Sequence, residues 1–227
     1  MITDPRFYRP FLIAFALLSV VSLKATPITV SELGVGAGET VWINSSSLGN
    51  NLHVYASVVK LNVGGAYMDG FCIDPWHWSA SGALPYDLEP LANAPKSANN
   101  SSANPMGASA AKQIEQLWKQ YYTAGISNVY AAALQIKIWQ IVDNAVSNGS
   151  FSLLSVDGGD SAAVYLTLTA MDNFLLNNPN APTANLVAVT GSGQDYVIPN
   201  VPESGVTVLL LGVVFAGLAA LRRRFVG

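Results

Sequence analysis

The sequence predicts an α+β fold: a β-sandwich-like part joined to a small helical part. Three observations lead there. Residues 28–90 read as strands: Thr40–Asn44 alternates, Leu52–Val63 is rich in β-branched and aromatic residues, and Gly64-Gly65 turns the chain into a partner strand over Ala66–Asp74. Residues 111–175 read as helices, and strands return at Asn185–Thr190 and Gln194–Ile198. Strand, helix and strand segments of this length suit an α+β domain.

The helices have distinct signatures. Ile114, Leu117, Trp118, Tyr121 and Tyr122 mark an amphipathic helix over 111–122, stopped by Gly125. Ser127 is an N-cap for a second helix to about Ser147, with an apolar stripe of Ala131, Leu134, Ile138, Ile141, Val142 and Ala145. Lys137, Gln140 and Asn144 are expected round the helix from that stripe, where polar residues belong. A third helix follows Asp160, with Val164, Leu168, Met171 and Leu175 on one side. Between Ala92 and Ala110, 16 of 19 residues are Ala, Asn, Ser or Pro, which predicts a long exposed loop.

Composition narrows the function classes. Charged residues are 11% and hydrophobic residues 51% of the 227, against about 25% charged in an average domain. The apolar excess lies in two uncharged runs, residues 11–23 and 206–221. The intervening Thr26–Asn200 holds five lysines, no arginine and twelve acids, a net −7. An acidic chain without a basic face makes nucleic acid an unsuitable partner.

The two ends read as addresses. Arg6 and Arg9 precede the apolar run 11–23, and small residues follow it, which is the layout of a secretory signal peptide over 1–25. Residues 26–200 are then the exported domain. At the other end, Val201-Pro202-Glu203-Ser204-Gly205 precedes the 16-residue apolar segment 206–221, and Arg222, Arg223 and Arg224 close it. Pro202 and Gly205 disfavour regular structure, which leaves the motif open to a processing enzyme. The apolar run can hold the chain in the membrane with the arginines as a cytoplasmic anchor. This layout resembles the PEP-CTERM class of sorting tails, and most of all its VPDSG variant, with Glu203 in the Asp place. The resemblance implies that 201–227 is a sorting signal recognised by an exosortase. It further implies transient anchoring in the membrane, cleavage near the motif, and release or transfer to the cell surface or extracellular matrix.

Within 26–200, one cysteine and one glutamine stand out. Cys72 is the chain's single cysteine, although exported proteins usually use cysteines in pairs. A small buried thiol is its plain reading. Gln135 falls four residues after Ala131 and three before Ile138, on the apolar stripe itself. A buried amide there costs a few kcal/mol unless satisfied, ordinarily by the backbone of a neighbouring strand. Together the two residues admit a specific chemistry. A thiol held against the amide carbon can attack it and expel ammonia, giving an internal thioester. Phe71 and Trp139 are the expected shields against water.

Phe71-Cys72-Ile73-Asp74 resembles the aromatic-Cys-aliphatic motif of bacterial surface thioester domains. Leu134-Gln135-Ile136-Lys137-Ile138-Trp139 resembles their Thr-Gln-x-Ala-x-Trp helix motif, with Leu134 and Lys137 departing from it. The resemblance implies Cys72 as the thioester sulfur and Gln135 as the acyl donor. It also implies covalent attachment to an amine or hydroxyl on a surface or matrix partner, polysaccharide or protein. That is stoichiometric adhesion: no enzyme activity, catalytic residue, metal or cofactor is expected.

Other chemistries have less behind them. Cys72 with His77 or His53 as base describes a hydrolase. Asp69, Asp74 and His77, or Asp157 with Asp160, do not match a metal-loop spacing, and Asp157–Asp160 suits a turn into a helix N-cap. Trp76 and Trp78, placed on a strand, would share a face able to stack on a sugar. That would suit a non-covalent, polysaccharide-associated matrix protein. No phosphate loop, dinucleotide fingerprint or serine nucleophile elbow occurs.

Overall fold

β-branched and aromatic residues at alternate positions build seven antiparallel strands in the computed structural model, which describes residues 27–96 and 105–200. The signal peptide and the sorting tail expected at the two ends lie outside the described residues. The strands are β1 (Ile28–Ser45), β2 (Gly49–Val63), β3 (Ala66–Cys72), β4 (Ala83–Pro90), β5 (Phe151–Val156), β6 (Leu186–Gly191) and β7 (Tyr196–Pro199). They lie in the order β2-β3-β7-β6-β4-β1-β5, and β1 also pairs with β2. Six strands therefore close into a ring, with β5 extending it beyond β1. The α+β class holds, but the sandwich-like arrangement gives way to one sheet closed on itself.

The reason lies in β1. Its register against β2 shifts between Glu32 and Gly34 and again between Val35 and Gly38. Such bulges bend a strand and increase its twist. The first part of β1 pairs with β4 through Ile28–Ser31, while its last part pairs with β5 through Val41–Ser45. At the bend a Cβ on Gly38 would lie 2.3 Å from the Ser57 Cβ, so only glycine permits the close passage of the two strands.

Two cores result. Val30, Val59, Leu61, Val63, Tyr86, Val189, Tyr196 and Ile198 fill the ring. A larger core lies outside it, where Val41, Ile43, Ala56 and Val58 meet the helices. These are α1 (Gly107–Tyr121), α2 (Asn128–Ser147) and α3 (Ser161–Asn177). Helix α2 is capped by Ser127, whose side chain accepts from the Tyr130 N–H, and it ends at Asn148 in the left-handed conformation. A helix apolar on all sides belongs in the interior, and every residue from Ala131 to Trp139 is buried between the sheet, α1 and α3. Lys137 corrects the expectation that it lies outward: it is buried, and its Nζ meets Asp172 Oδ1 of α3 at 2.7 Å. The loop expected over 92–110 is also partly packed. Leu91–Asn93 form a 3-10 turn, Ala94 and Met106 are buried, and α1 begins at Gly107.

Polar ties join these layers. Asp143 near the end of α2 is buried and accepts hydrogen bonds from Ser45 (3.2 Å), Ser47 (2.5 Å) and Ser147 (2.6 Å), fixing α2 to the β1–β2 connection. Asp195, just before β7, is buried too. Its carboxylate accepts from the backbone N–H of Lys96 (2.6 Å) and Gly191 (2.9 Å), and its carbonyl accepts from the Ile73 N–H (3.0 Å). Burial pushes the Asp195 carboxyl up to about 7, against the opposing pull of the two N–H donors.

Two outcomes follow for stability. Asp143→Ala removes the shared acceptor of three hydroxyls, of which Ser45 is buried, and should cost about 1–3 kcal/mol in urea unfolding, with Asp143→Asn costing less. The folded chain holds the Asp195 proton more tightly than the unfolded chain does. Its contribution is therefore full at low pH and is lost as pH rises through about 7. Unfolding midpoints across that window should fall with rising pH, and Asp195→Asn should flatten the slope. Asp74, raised in the same direction by its own burial, leaves a remainder of the same sign.

Candidate functional site

Cys72 is the last residue of β3, and the strand register decides where its side chain points. It sits opposite Tyr196 of β7, and Gly70 sits opposite Val59 of β2. Both partners belong to the core inside the ring, so alternation places the Cys72 sulfur on the inner face, at one end of the ring. The β2–β3 ladder stops at the Val59–Gly70 pair, two residues short of Cys72. By the same alternation, the Cys72 N–H and C=O point to the side that β2 has vacated.

Gln135 takes that place. The Cys72 N–H donates to Gln135 Oε1 at 2.9 Å, and Gln135 Nε2 donates to the Cys72 carbonyl at 2.8 Å. The carboxamide thus acts as one more peptide of a missing strand. Gln135 is 1% exposed and Cys72 3%, and these two bonds meet the need that burial imposes on a polar side chain. The Cys72 side chain is carried on the Cα that lies between these two gripping groups. The Cys72 N–H is already aimed at the oxygen that would gain charge if that carbon were attacked.

Trp139 lies one turn beyond Gln135 on α2. It is buried, packs on Phe151 with ring centroids 5.9 Å apart, and lines the same cavity as Cys72 and Gln135. Its Nε1–H forms no hydrogen bond to the neutral thiol or to any other group among the described residues. It nevertheless favours the thiolate form of Cys72. Burial outweighs it and pushes the Cys72 thiol far up, so the sulfur is a neutral thiol at ordinary pH. Phe71 corrects the shielding expected of it. A strand turns alternate side chains to opposite faces, so Phe71 leaves the cavity and packs edge-on against Trp118 (5.2 Å) and Tyr122 (6.0 Å).

The cavity has a volume of about 480 Å³. The segment after β3 forms one wall. Trp76, His77 and Trp78 lie there in a turn, not on a strand as the sequence suggested. Asp74, fully buried, accepts from the Trp76 N–H at 3.2 Å and pairs with His77 Nδ1 at 2.6 Å. Gln194 Nε2 donates to the carbonyls of Asp74 (3.3 Å) and His77 (2.9 Å), and Trp76 Nε1 donates to Ser47 Oγ at 3.1 Å. Glu32 of β1 also lines the cavity and accepts from the Tyr196 hydroxyl at 2.9 Å.

The remaining candidates are distributed elsewhere. Asp69 pairs with Lys60 (2.6 Å) and Tyr122 (2.7 Å), away from the Asp74–His77 pair, so the three are not brought together as ligands. Asp157 pairs with His53 at 2.8 Å, and Asp160 takes the N-cap position of α3 without a side-chain capping bond. Sequence reasoning passed over Gln194 and Asp195. Their signal was faint, two polar residues before a short apolar strand.

Comparison with known proteins bears on the tail. The chain has no match among curated proteins or solved structures. Among the described residues, no helix is long and apolar enough to cross a membrane. Residues 200–225, which include Val201, Pro202, Glu203, Ser204 and Gly205, match the VPDSG-CTERM motif. That match marks the tail as a sorting signal and the chain as an exported, exosortase-sorted surface protein.

Proposed function

We propose that the exported domain is an adhesive module that joins Cys72 to Gln135 as an internal thioester and attaches covalently, once, to an amine or hydroxyl of a surface or matrix target. The observation behind this reading is the paired hydrogen bonding of the Gln135 carboxamide to the backbone of Cys72 itself. Two motifs 63 positions apart in the chain meet residue on residue. In the forming step the Cys72 sulfur bonds to the Gln135 amide carbon, the carbon–nitrogen bond breaks, and the thiol proton leaves with the nitrogen as ammonia. Oriented contact supplies what a dilute thiol and amide lack. The sulfur attacks as it gives up its proton, and that proton is the one the leaving nitrogen takes.

Attack by an external nucleophile then transfers the acyl group and frees the thiol. Each molecule reacts once, so the activity is stoichiometric and the module is not an enzyme. Export is consistent with such a role, since the targets lie outside the cell. Signal peptide 1–25 and tail 201–227 would be removed around the 26–200 domain.

The test is the intact mass of the exported, processed protein. It should be lower than its sequence mass by one ammonia, and Cys72→Ala should abolish the deficit. Methylamine should add to the wild type and release one titratable thiol. Cys72→Ala is the clean variant, because both backbone bonds to Gln135 survive it. Gln135→Ala should also abolish the deficit, while leaving a buried N–H and C=O unpaired at a cost of about 1–3 kcal/mol. A full mass with no amine adduct would overturn the thioester. It would leave Gln135 as a surrogate strand in a non-covalent matrix protein.

A further inference from the structure

The cavity holds more than the two thioester residues. His77 Nδ1 is 2.6 Å from Asp74 Oδ2, and Asp74 is fully buried. A carboxylate in that place favours the proton on Nδ1, which leaves Nε2 as the acceptor nitrogen of a ring that lines the cavity. The His77 carbonyl is pinned by Gln194, so both ring and backbone are held. His77 lines the cavity together with Cys72 and Gln135. No structural need explains an oriented imidazole there, since the turn is already tied by Asp74, Gln194 and Ser47.

The walls indicate what enters. Trp76 lines the cavity, Trp78 stands 85% exposed at its rim, and Tyr55 is 43% exposed on the facing strand. Such flat, amphipathic faces suit a ring with an apolar face and polar edges. Glu32 and Gln194 supply hydrogen-bonding groups between them.

Resting on the thioester reading, we propose that the acceptor is a carbohydrate hydroxyl, with His77 as the general base that makes a hydroxyl reactive and Asp74 as the residue that positions it. An amine attacks a thioester through its own lone pair without help. A hydroxyl must lose its proton as it attacks, and a positioned imidazole accelerates that transfer by about 10²–10⁴-fold. In the step, the sugar oxygen bonds to the acyl carbon of residue 135 while His77 Nε2 takes the hydroxyl proton. The carbon–sulfur bond breaks, and the proton passes from His77 to the departing Cys72 sulfur. The products are an ester to the sugar and a free thiol. The Cys72 N–H stabilises the oxyanion in between.

The experiment is intact-mass kinetics on the exported protein, with methylamine and with a neutral glucan oligosaccharide as separate acceptors. Wild type should form both adducts. His77→Ala should keep the ammonia deficit and the methylamine adduct but lose the sugar ester by at least about ten-fold. Asp74→Asn should weaken ester formation in the same direction while sparing the amine reaction. A wild type that reacts with methylamine and not with the oligosaccharide overturns the acceptor assignment. Equal ester rates in wild type and His77→Ala overturn the base. A wild type without the ammonia deficit overturns the thioester beneath both. The unmodified amine reaction in the variants shows that the fold and the thioester survived the substitutions.

Discussion

Where the β2–β3 ladder stops, the N–H and C=O of Cys72 still need partners, and a buried helix supplies both through one carboxamide. Much of the local architecture depends on that exchange. It places α2 against the end of the ring, because Gln135 must reach the backbone of β3. It explains Gln135 in the middle of a helix whose residues from Ala131 to Trp139 are all buried and, Lys137 apart, otherwise apolar. It also sets a carboxamide against the residue that carries the chain's single thiol. In the proposed function, the residue that completes the sheet would also be the acyl donor.

Buried carboxylates hold the surroundings in place. Asp143 ties the end of α2 to the β1–β2 connection, Asp195 ties the backbone at Lys96 to the end of β6 at Gly191, and Asp74 organises the turn that walls the cavity. Each accepts hydrogen bonds from groups that would otherwise be stranded in the interior. For Asp195 and Asp74, burial raises the affinity for a proton, while the hydrogen bonds they accept pull the other way.

Several features were legible in the residues alone. The strands around Thr40–Asn44 and Leu52–Val63, the Ser127 cap and the extent of the second helix follow from alternation and capping chemistry, which are local. The inward position of Gln135 follows from helical periodicity in the same way. Other features were not legible. Lys137 reads as an outward residue until α3 covers it with Asp172, and Phe71 reads as a neighbour of Cys72 until the strand turns it to the other face. β5, the short run Phe151–Val156, escaped because a six-residue strand between helices has little pattern of its own.

The sequence by itself determined the sorting motif at the C-terminal end, the α+β class, and the presence of one cysteine and one inward glutamine. These rest on residue type, spacing and covalent order, which need no knowledge of what lies across the fold. Only the tertiary structure decided that the sheet closes into a ring, that Gln135 meets the backbone of Cys72, and that His77, Asp74 and the tryptophans share the cavity with them. Those are juxtapositions of residues far apart in the chain. They arise from bulges that bend β1 and from the ladder that ends two residues early, consequences of long-range packing that no local pattern encodes.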